Sequence, residues 1–415
     1  MTGTTTFAES LRATARDGQA EAAQQTAAAR TSLPLRYLRQ QGHLTAPASE
    51  PVLAEKALGS AHRVAERLLD RYGIGRDRLA ERLGLDESSV DEVLAAPGAP
   101  LVLLDLEDGV APGMVAQARD NAVRLLRETD RGATLCFVRP AGVEDPRCAD
   151  DLIEILLRAG DGLRPDAYPL DGIVMPKARH AHEIEWLEGV LTAIEDELGL
   201  ERNRIRVSLQ IETGFGVLNL RELAAASRSR LAGIILGTVD LSADLLLQEV
   251  RYRHPVCEWA RMAIVVVAGA MGVPAIDGMT LDFPIGSAER SVEENRTLVL
   301  DRMRANYDDA LHSIDVGMSG RWTGHPLQLV ATELAFRSSF SSARVDRLVA
   351  DVERFGVAAR DEKGATAGPQ GELLDIGTDR QVRAQLRRAA AWGYLDMERA
   401  AGLGLVTDAE SGAKR

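Results

Sequence analysis

"LVLLDLEDGVAP", Leu101–Pro112, runs from four apolar residues straight into Asp105, Glu107 and Asp108, then into a glycine and a proline. A short apolar run bounded by turn residues reads as a strand buried on both faces, as in a parallel sheet. Carboxylates at the carboxyl end of such a strand are costly to bury unless a cation, an arginine or backbone donors compensate them. The stretch therefore predicts an α/β fold and, at the strand's end, a charged pocket.

Further apolar runs recur at Thr134–Val138, Gly172–Met175, Val207–Ile211, Gly233–Leu236, Val273–Ile276 and Ile314–Val316. Segments with helical period separate them, such as "ARHAHEIEWLEGVLTAIEDELG" and "CEWARMAIVVVAGAMG". Alternation of this kind implies βα units and a parallel sheet. A weak strand candidate at "GHLTAPAS" completes eight, and eight βα repeats predict a closed (β/α)8 TIM barrel. An open doubly wound sheet is the competitor, but no GxGxxG follows any of the strands.

The predicted division is a flexible arm over 1–32, poor in large apolar groups, and a barrel over 33–337 with a helical insertion at about 50–97. A polar hinge, "RSSFSSAR" (337–344), leads to a small helical lid over 338–404, and residues 405–415 read as a frayed tail. The chain has 415 residues, 45% of them hydrophobic and 27% charged, which suits a globular protein. Its 49 basic and 62 acidic residues give a net charge of −13, which argues against nucleic acid or an anionic membrane as partner. Three cysteines without a CxxC suggest neither a disulfide framework nor a zinc site. No secretory signal is evident, and no apolar run approaches a membrane span, so a cytoplasmic location is expected.

Barrel chemistry sits at the carboxyl ends of strands. Reading past each run gives Asp105, Glu107 and Asp108, then Arg139, Lys177, Gln210 and Glu212, Asp240 and Asp244, Asp277 and Asp282, and finally Arg321, Trp322 and His325. Carboxylates at this density suit a hard cation, Mg²⁺ or Mn²⁺, which takes few protein ligands and keeps water and substrate oxygens. Lys177 reads either as a Schiff-base nucleophile or as the partner of a strand-end carboxylate. Trp322 and His325 read as packing and hydrogen-bonding residues.

"DLEDGVAP", "VRP", "GIVMPKA", "IETGFGVLN", "GTVDLSADL", "AIDG" and "GRWTGHPLQL" occur in an order and spacing that resembles the citrate lyase β-chain and malyl-CoA lyase family of the HpcH/HpaI 2-keto-acid aldolase superfamily. The likeness spans roughly residues 99–400. It implies a Mg²⁺-dependent carbon–carbon lyase that works through an enolate on a 2-oxo acid and a CoA thioester. It further implies Glu212 and Asp240 as metal ligands and Arg139 as the group on the substrate's keto or carboxylate oxygens. Asp105, Glu107 and Asp108 would orient Arg139 and metal-bound water. "GELLD" would supply Asp375 as a base reaching a neighbouring subunit's site, hence a homo-oligomer. Three positions depart from the family pattern: the first strand is degenerate, Val239 replaces an acid before Asp240, and no proline follows Asp375 closely. An aldolase on free 4-hydroxy-2-oxo acids and a non-catalytic metal-binding barrel are the alternatives.

Overall fold

A computed structural model describes residues 7–28, 33–96 and 98–411. Eight parallel strands close into one barrel in sequence order: β1 (Gly42–Pro47), β2 (Leu101–Asp105), β3 (Leu135–Arg139), β4 (Gly172–Met175), β5 (Arg206–Ile211), β6 (Leu231–Leu236), β7 (Ala275–Asp277) and β8 (Gly320–Thr323). β1 pairs with β2 on one side and β8 on the other, so no sheet edge is left open. Every residue of β2, β3, β4, β6, β7 and β8 is buried, because helices cover one face and pore side chains the other. The expected (β/α)8 architecture is therefore the observed one.

A helix, α1 (Phe7–Ala28), precedes the barrel. Between β1 and β2 lie α2 (Pro51–Arg71), α3 (Arg76–Leu83) and α4 (Glu87–Leu94). α5 (Val115–Glu128), α6 (Arg147–Gly160) and α7 (Ala181–Glu197) follow β2, β3 and β4. The pair α8 (Gly214–Leu218) and α9 (Leu220–Ala226) follows β5, and the pair α10 (Thr238–Asp244) and α11 (Pro255–Met271) follows β6. α12 (Val292–Asp315) and α13 (Pro326–Ser339) follow β7 and β8. The C-terminal element holds α14 (Ser342–Arg360), the hairpin β9 (Ala365–Ala367) and β10 (Leu373–Asp375), α15 (Ile376–Ala391), α16 (Met397–Gly402) and α17 (Asp408–Ser411).

Several boundaries differ from expectation. The weak first strand is real: Thr45 faces the pore, where it accepts a hydrogen bond from Trp322 Nε1, while Leu44 and Ala46 are buried in the wall. The run Ile314–Val316 is not a strand but the end of α12 and the turn after it, which closes at Gly317 with φ 97°. The eighth strand is Gly-Arg-Trp-Thr, which no aliphatic run announces. α2 is the barrel's own first covering helix, burying Ala54, Leu58, Ala61, Ala65 and Leu69 at helical spacing, so only α3 and α4 are inserted. The arm is a 22-residue helix where it is described, with exposed side chains at 12 and 14–24; its residues 1–6 and 29–32 lie outside the described part.

"RSSFSSAR" is a packed corner, not a hinge. α13 runs to Ser339, Phe340 is buried, and Ser341 caps α14 by accepting from Arg344 N. Phe340 and Phe336 meet Trp392 edge-to-face at 5.2 and 5.4 Å, and Trp392 Nε1 donates to Leu38 O at 2.9 Å. Leu38 precedes β1, so the C-terminal element is anchored on the amino-terminal end of the barrel. The tail is also tied down: Glu410 accepts from Leu35 N and from the Arg387 guanidinium at 2.7–3.0 Å, and Leu405 and Val406 are buried. Residues 412–415 lie outside the described part.

Candidate active site

The opposite, carboxyl-terminal mouth gathers the charged residues. Asp105 and Arg139 are register partners at the ends of β2 and β3. Both side chains are buried, and the guanidinium grips the carboxylate in two places, Nε to Oδ1 at 2.7 Å and Nη2 to Oδ2 at 2.9 Å. Such a planar fork fixes an arginine's direction as well as its charge. Asp105 is itself held by Glu107 N and Gly109 N at 3.1 and 3.0 Å. The free edge of Arg139, Nη1, points to Glu107 Oε2 at 3.0 Å and Gln210 Oε1 at 3.5 Å. The Trp322 ring lies against the guanidinium at 5.1 Å. Burial opposes the arginine's charge, but Asp105, Glu107 and Glu212 outweigh it and hold its pKa above the usual range.

Glu212 follows β5 and is fully buried. Its Oε1 accepts from Lys177 N at 2.9 Å and its Oε2 from Gln210 Nε2. Burial first, then the negative charges of Asp240 and Glu107, push its pKa up to about 8. Asp240 stands in the first turn of α10, directly after β6, with a side chain 37% exposed. Gly237, between β6 and α10, makes this approach possible: a Cβ there would fall 2.3 Å from Glu212 Oε2 and 2.5 Å from Glu212 Cβ.

Lys177 binds the group together. Its Nζ lies 2.6 Å from Glu107 Oε1, 3.2 Å from Asp108 and 4.0 Å from Asp240 Oδ1. Its backbone adopts φ 53°, an unfavourable conformation for a side-chain-bearing residue, which aims its N–H at Glu212. Burial lowers its pKa, but Glu107 and Asp108 raise it further, so the amine is a cation and not a Schiff-base nucleophile. Glu107 is buried, and neither oxygen has a well-formed hydrogen bond despite the nearby cations. Its pKa is raised by burial against the pull of Arg139.

Among the described residues no three His, Cys, Asp or Glu side chains form a metal cage. A hard cation such as Mg²⁺ uses one or two carboxylates and keeps its waters. Glu212 and Asp240 fit that demand. Glu212 is pressed toward protonation by burial first and by Asp240 next, and a cation would relieve it. Glu107, ion-paired to Lys177 Nζ at 2.6 Å and to Arg139 Nη1 at 3.0 Å, adds its charge to the same site.

Other strand-end residues lie elsewhere. Asp277 and Arg321 point out of the barrel into its wall, where Asp277 meets Arg261 Nε at 2.7 Å and accepts from Tyr252 OH at 2.5 Å. Asp244 accepts from Gly214 N, and His325 caps α13 by accepting from Leu327 N. Trp322, expected only to pack, forms part of the Arg139 pocket; its place two residues into a strand without aliphatics carried no signal of that. Asp375 is apart from all of these. It caps α15, exchanging hydrogen bonds with Thr378, which lowers its pKa. Among the described residues it has no hydrogen bond or ion pair to the barrel.

Comparisons agree with this architecture. The HpcH/HpaI aldolase/citrate lyase family profile matches residues 83–298. The L-malyl-CoA/β-methylmalyl-CoA lyase of Cereibacter sphaeroides is 30% identical over 315 residues, 72% of this chain and 90% of the relative. A (3S)-malyl-CoA thioesterase of the same species is 28% identical, over 71% of this chain and 89% of its own. The crystal structure of a citrate lyase from Burkholderia xenovorans LB400 shares the fold with a TM-score of 0.57 at 21% identity, covering 90% of this chain and 97% of that one. A family profile matching over half the chain, joined to a lyase relative 30% identical over 72% of it, shows that this chain belongs to the HpcH/HpaI aldolase/citrate lyase family.

Proposed function

We propose that the chain is a Mg²⁺- or Mn²⁺-dependent carbon–carbon lyase that cleaves or forms a β-hydroxyacyl-CoA from an acyl-CoA and a 2-oxo acid. The observation that carries this reading is the buried Glu212, electrostatically coupled to the part-exposed Asp240, beside the Asp105-clamped Arg139. The lyase relative, which acts on CoA thioesters, supports the substrate class.

In this reading Glu212 and Asp240 hold the metal. A divalent cation there supplies Lewis acidity toward the carboxylate and keto oxygens of a 2-oxo acid. Arg139 Nη1, on the edge not gripped by Asp105 and now beside Glu107 and Gln210, is the donor to stabilise the oxygen on which charge develops. For condensation, a base removes an α-proton from the acyl thioester, the resulting enolate attacks the keto carbon, and the new alkoxide takes up a proton. Cleavage reverses each step. Asp375 serves as base only if a second copy supplies it, since the C-terminal element sits at the far end of this barrel. The reading therefore includes a homo-oligomer. The same separation favours a second reading, an aldolase on free 4-hydroxy-2-oxo acids that needs no lid acid.

Mn²⁺ titration followed by calorimetry and thermal melting tests the metal pair. Saturating metal should raise the melting temperature by mass action. Glu212→Gln should remove that rise with the fold intact. An unchanged response in both Glu212→Gln and Asp240→Asn overturns the assignment. Turnover of free 4-hydroxy-2-oxo acids with no activity on any CoA thioester selects the second reading.

A further inference from the structure

The amino-terminal end of the barrel holds a cavity of about 560 Å³, between the barrel and α15. Its floor is apolar and small-chained, with Ala268, Val273, Pro274 and Ala275 at the end of α11 and the start of β7. Leu33 and Leu38 form a wall. Two arginines of α15, Arg387 and Arg388, line the remaining side.

The two arginines differ. Arg387 is neutralised by Glu410, at 2.7 Å, and donates to Leu405 O. Among the described residues Arg388 has no side-chain hydrogen bond and no ion pair, although it is partly buried. Its charged neighbour is another cation, Arg344, whose donors go to Ser339 O and Gln385 Oε1 and not to an acid. Burial and Arg344 together lower the Arg388 pKa. A partly buried cation without a counter-charge among the described side chains is unfavourable, and here it faces an open apolar space. The local excess of positive charge stands out in a chain of net charge −13.

We infer that this cavity is a binding site for an amphiphilic organic anion, a carboxylate on a short apolar chain or ring. The carboxylate would pair with the planar fork of Arg388, and the apolar part would cover the Ala268–Ala275 floor. Its volume suits a small molecule. The site is separate from the metal mouth, and it has a structural consequence. α15 begins at the cap residue Asp375 and carries Arg388 thirteen positions on, about 20 Å along the helix. An anion held between Arg388 and the end of α11 ties that helix to the barrel.

Hexanoate and benzoate, titrated by calorimetry into the full chain, test the site, with hexylamine and inorganic phosphate as controls. The carboxylates should bind and raise the melting temperature. Hexylamine should do neither, and phosphate should bind more weakly because it leaves the apolar floor bare. Arg388→Gln should lose about thirtyfold or more in carboxylate affinity. It should melt no lower than the parent without ligand, since it removes an unpaired cation. Gly269→Leu places a side chain where no atom lies within 4 Å and should block the cavity while leaving Arg388 intact. Glu212→Gln should bind hexanoate like the parent, which separates this site from the metal mouth. Failure of both carboxylates to bind, or equal affinity in Arg388→Gln, overturns the inference.

Discussion

Gly237 shows how much of the mouth rests on single atoms. Glu212 is buried and close to Asp240 only because position 237 carries no Cβ. Gly237→Ala should therefore push the Glu212 carboxylate aside. Metal affinity should fall by about tenfold or more, the scale seen when groups orienting metal ligands are lost, and the melting temperature of the metal-free protein should fall too, because the added methyl also meets Glu212 Cβ, which the backbone holds in place; calorimetry with Mn²⁺ reads the first and a thermal melt the second. Arg139 offers a complementary test. Arg139→Lys keeps the charge but loses the two-point grip on Asp105 and the aimed Nη1. Pyruvate or glyoxylate affinity should drop sharply in the presence of metal, with metal binding itself retained. Equal 2-oxo-acid affinity in the variant would remove Arg139 from the substrate site.

At the scale of elements, the C-terminal helices are the informative case. α15 is capped by Asp375 and Thr378 in a reciprocal arrangement, and asparagine caps a helix about as well as aspartate. Asp375→Asn should leave circular dichroism and melting close to the parent, together with metal and 2-oxo-acid binding. Exchange of the α-proton of an acyl-CoA with solvent deuterium should be lost. Equal exchange in the variant makes Asp375 a helix cap and nothing more. The element is anchored through Trp392 and Leu38 at the barrel's amino-terminal end, so in the proposed lyase reading Asp375 acts as base only from a second copy. Mixing Asp375→Asn with Arg139→Ala chains should then restore part of the activity, since some mixed sites hold both intact residues.

For the whole molecule, the pH dependence of stability has a source deep in the barrel. His43 is buried, with its Nε2 3.1 Å from Gln40 Oε1, and burial presses its pKa down to about 3. The unfolded chain takes up that proton near pH 6.5, the folded chain near 3. The neutral ring's contribution is therefore complete above pH 6.5 and shrinks as pH falls toward 3. Between pH 6.5 and 4.5 the parent should lose up to ~2 kcal/mol from this residue. His43→Gln, which has no such proton to bind, should show a flatter denaturation profile over that window; parallel profiles would contradict the assignment.

Local pattern was enough for the barrel. Aliphatic runs such as Leu101–Leu104 and Gly172–Met175 are buried on both faces, and that requirement is written into consecutive residues. The acids and the arginine at the strand ends were legible for the same reason, since each follows its run directly. What depended on tertiary packing was everything decided by a partner distant in the chain. β8 is a strand because β1 and β7 flank it, although Gly-Arg-Trp-Thr has no strand pattern of its own. Asp277 ends β7 as Asp105 ends β2, and Arg321 is its register partner in β8, yet strand alternation turns both into the wall, where Arg261 and Tyr252 receive them. Ser and Arg in "RSSFSSAR" looked like a hinge because Phe340's partner, Trp392, lies 52 residues further along the chain. The repulsion between Asp240 and Glu212, 28 residues apart and on neighbouring βα units, arises only when the barrel closes and buries Glu212.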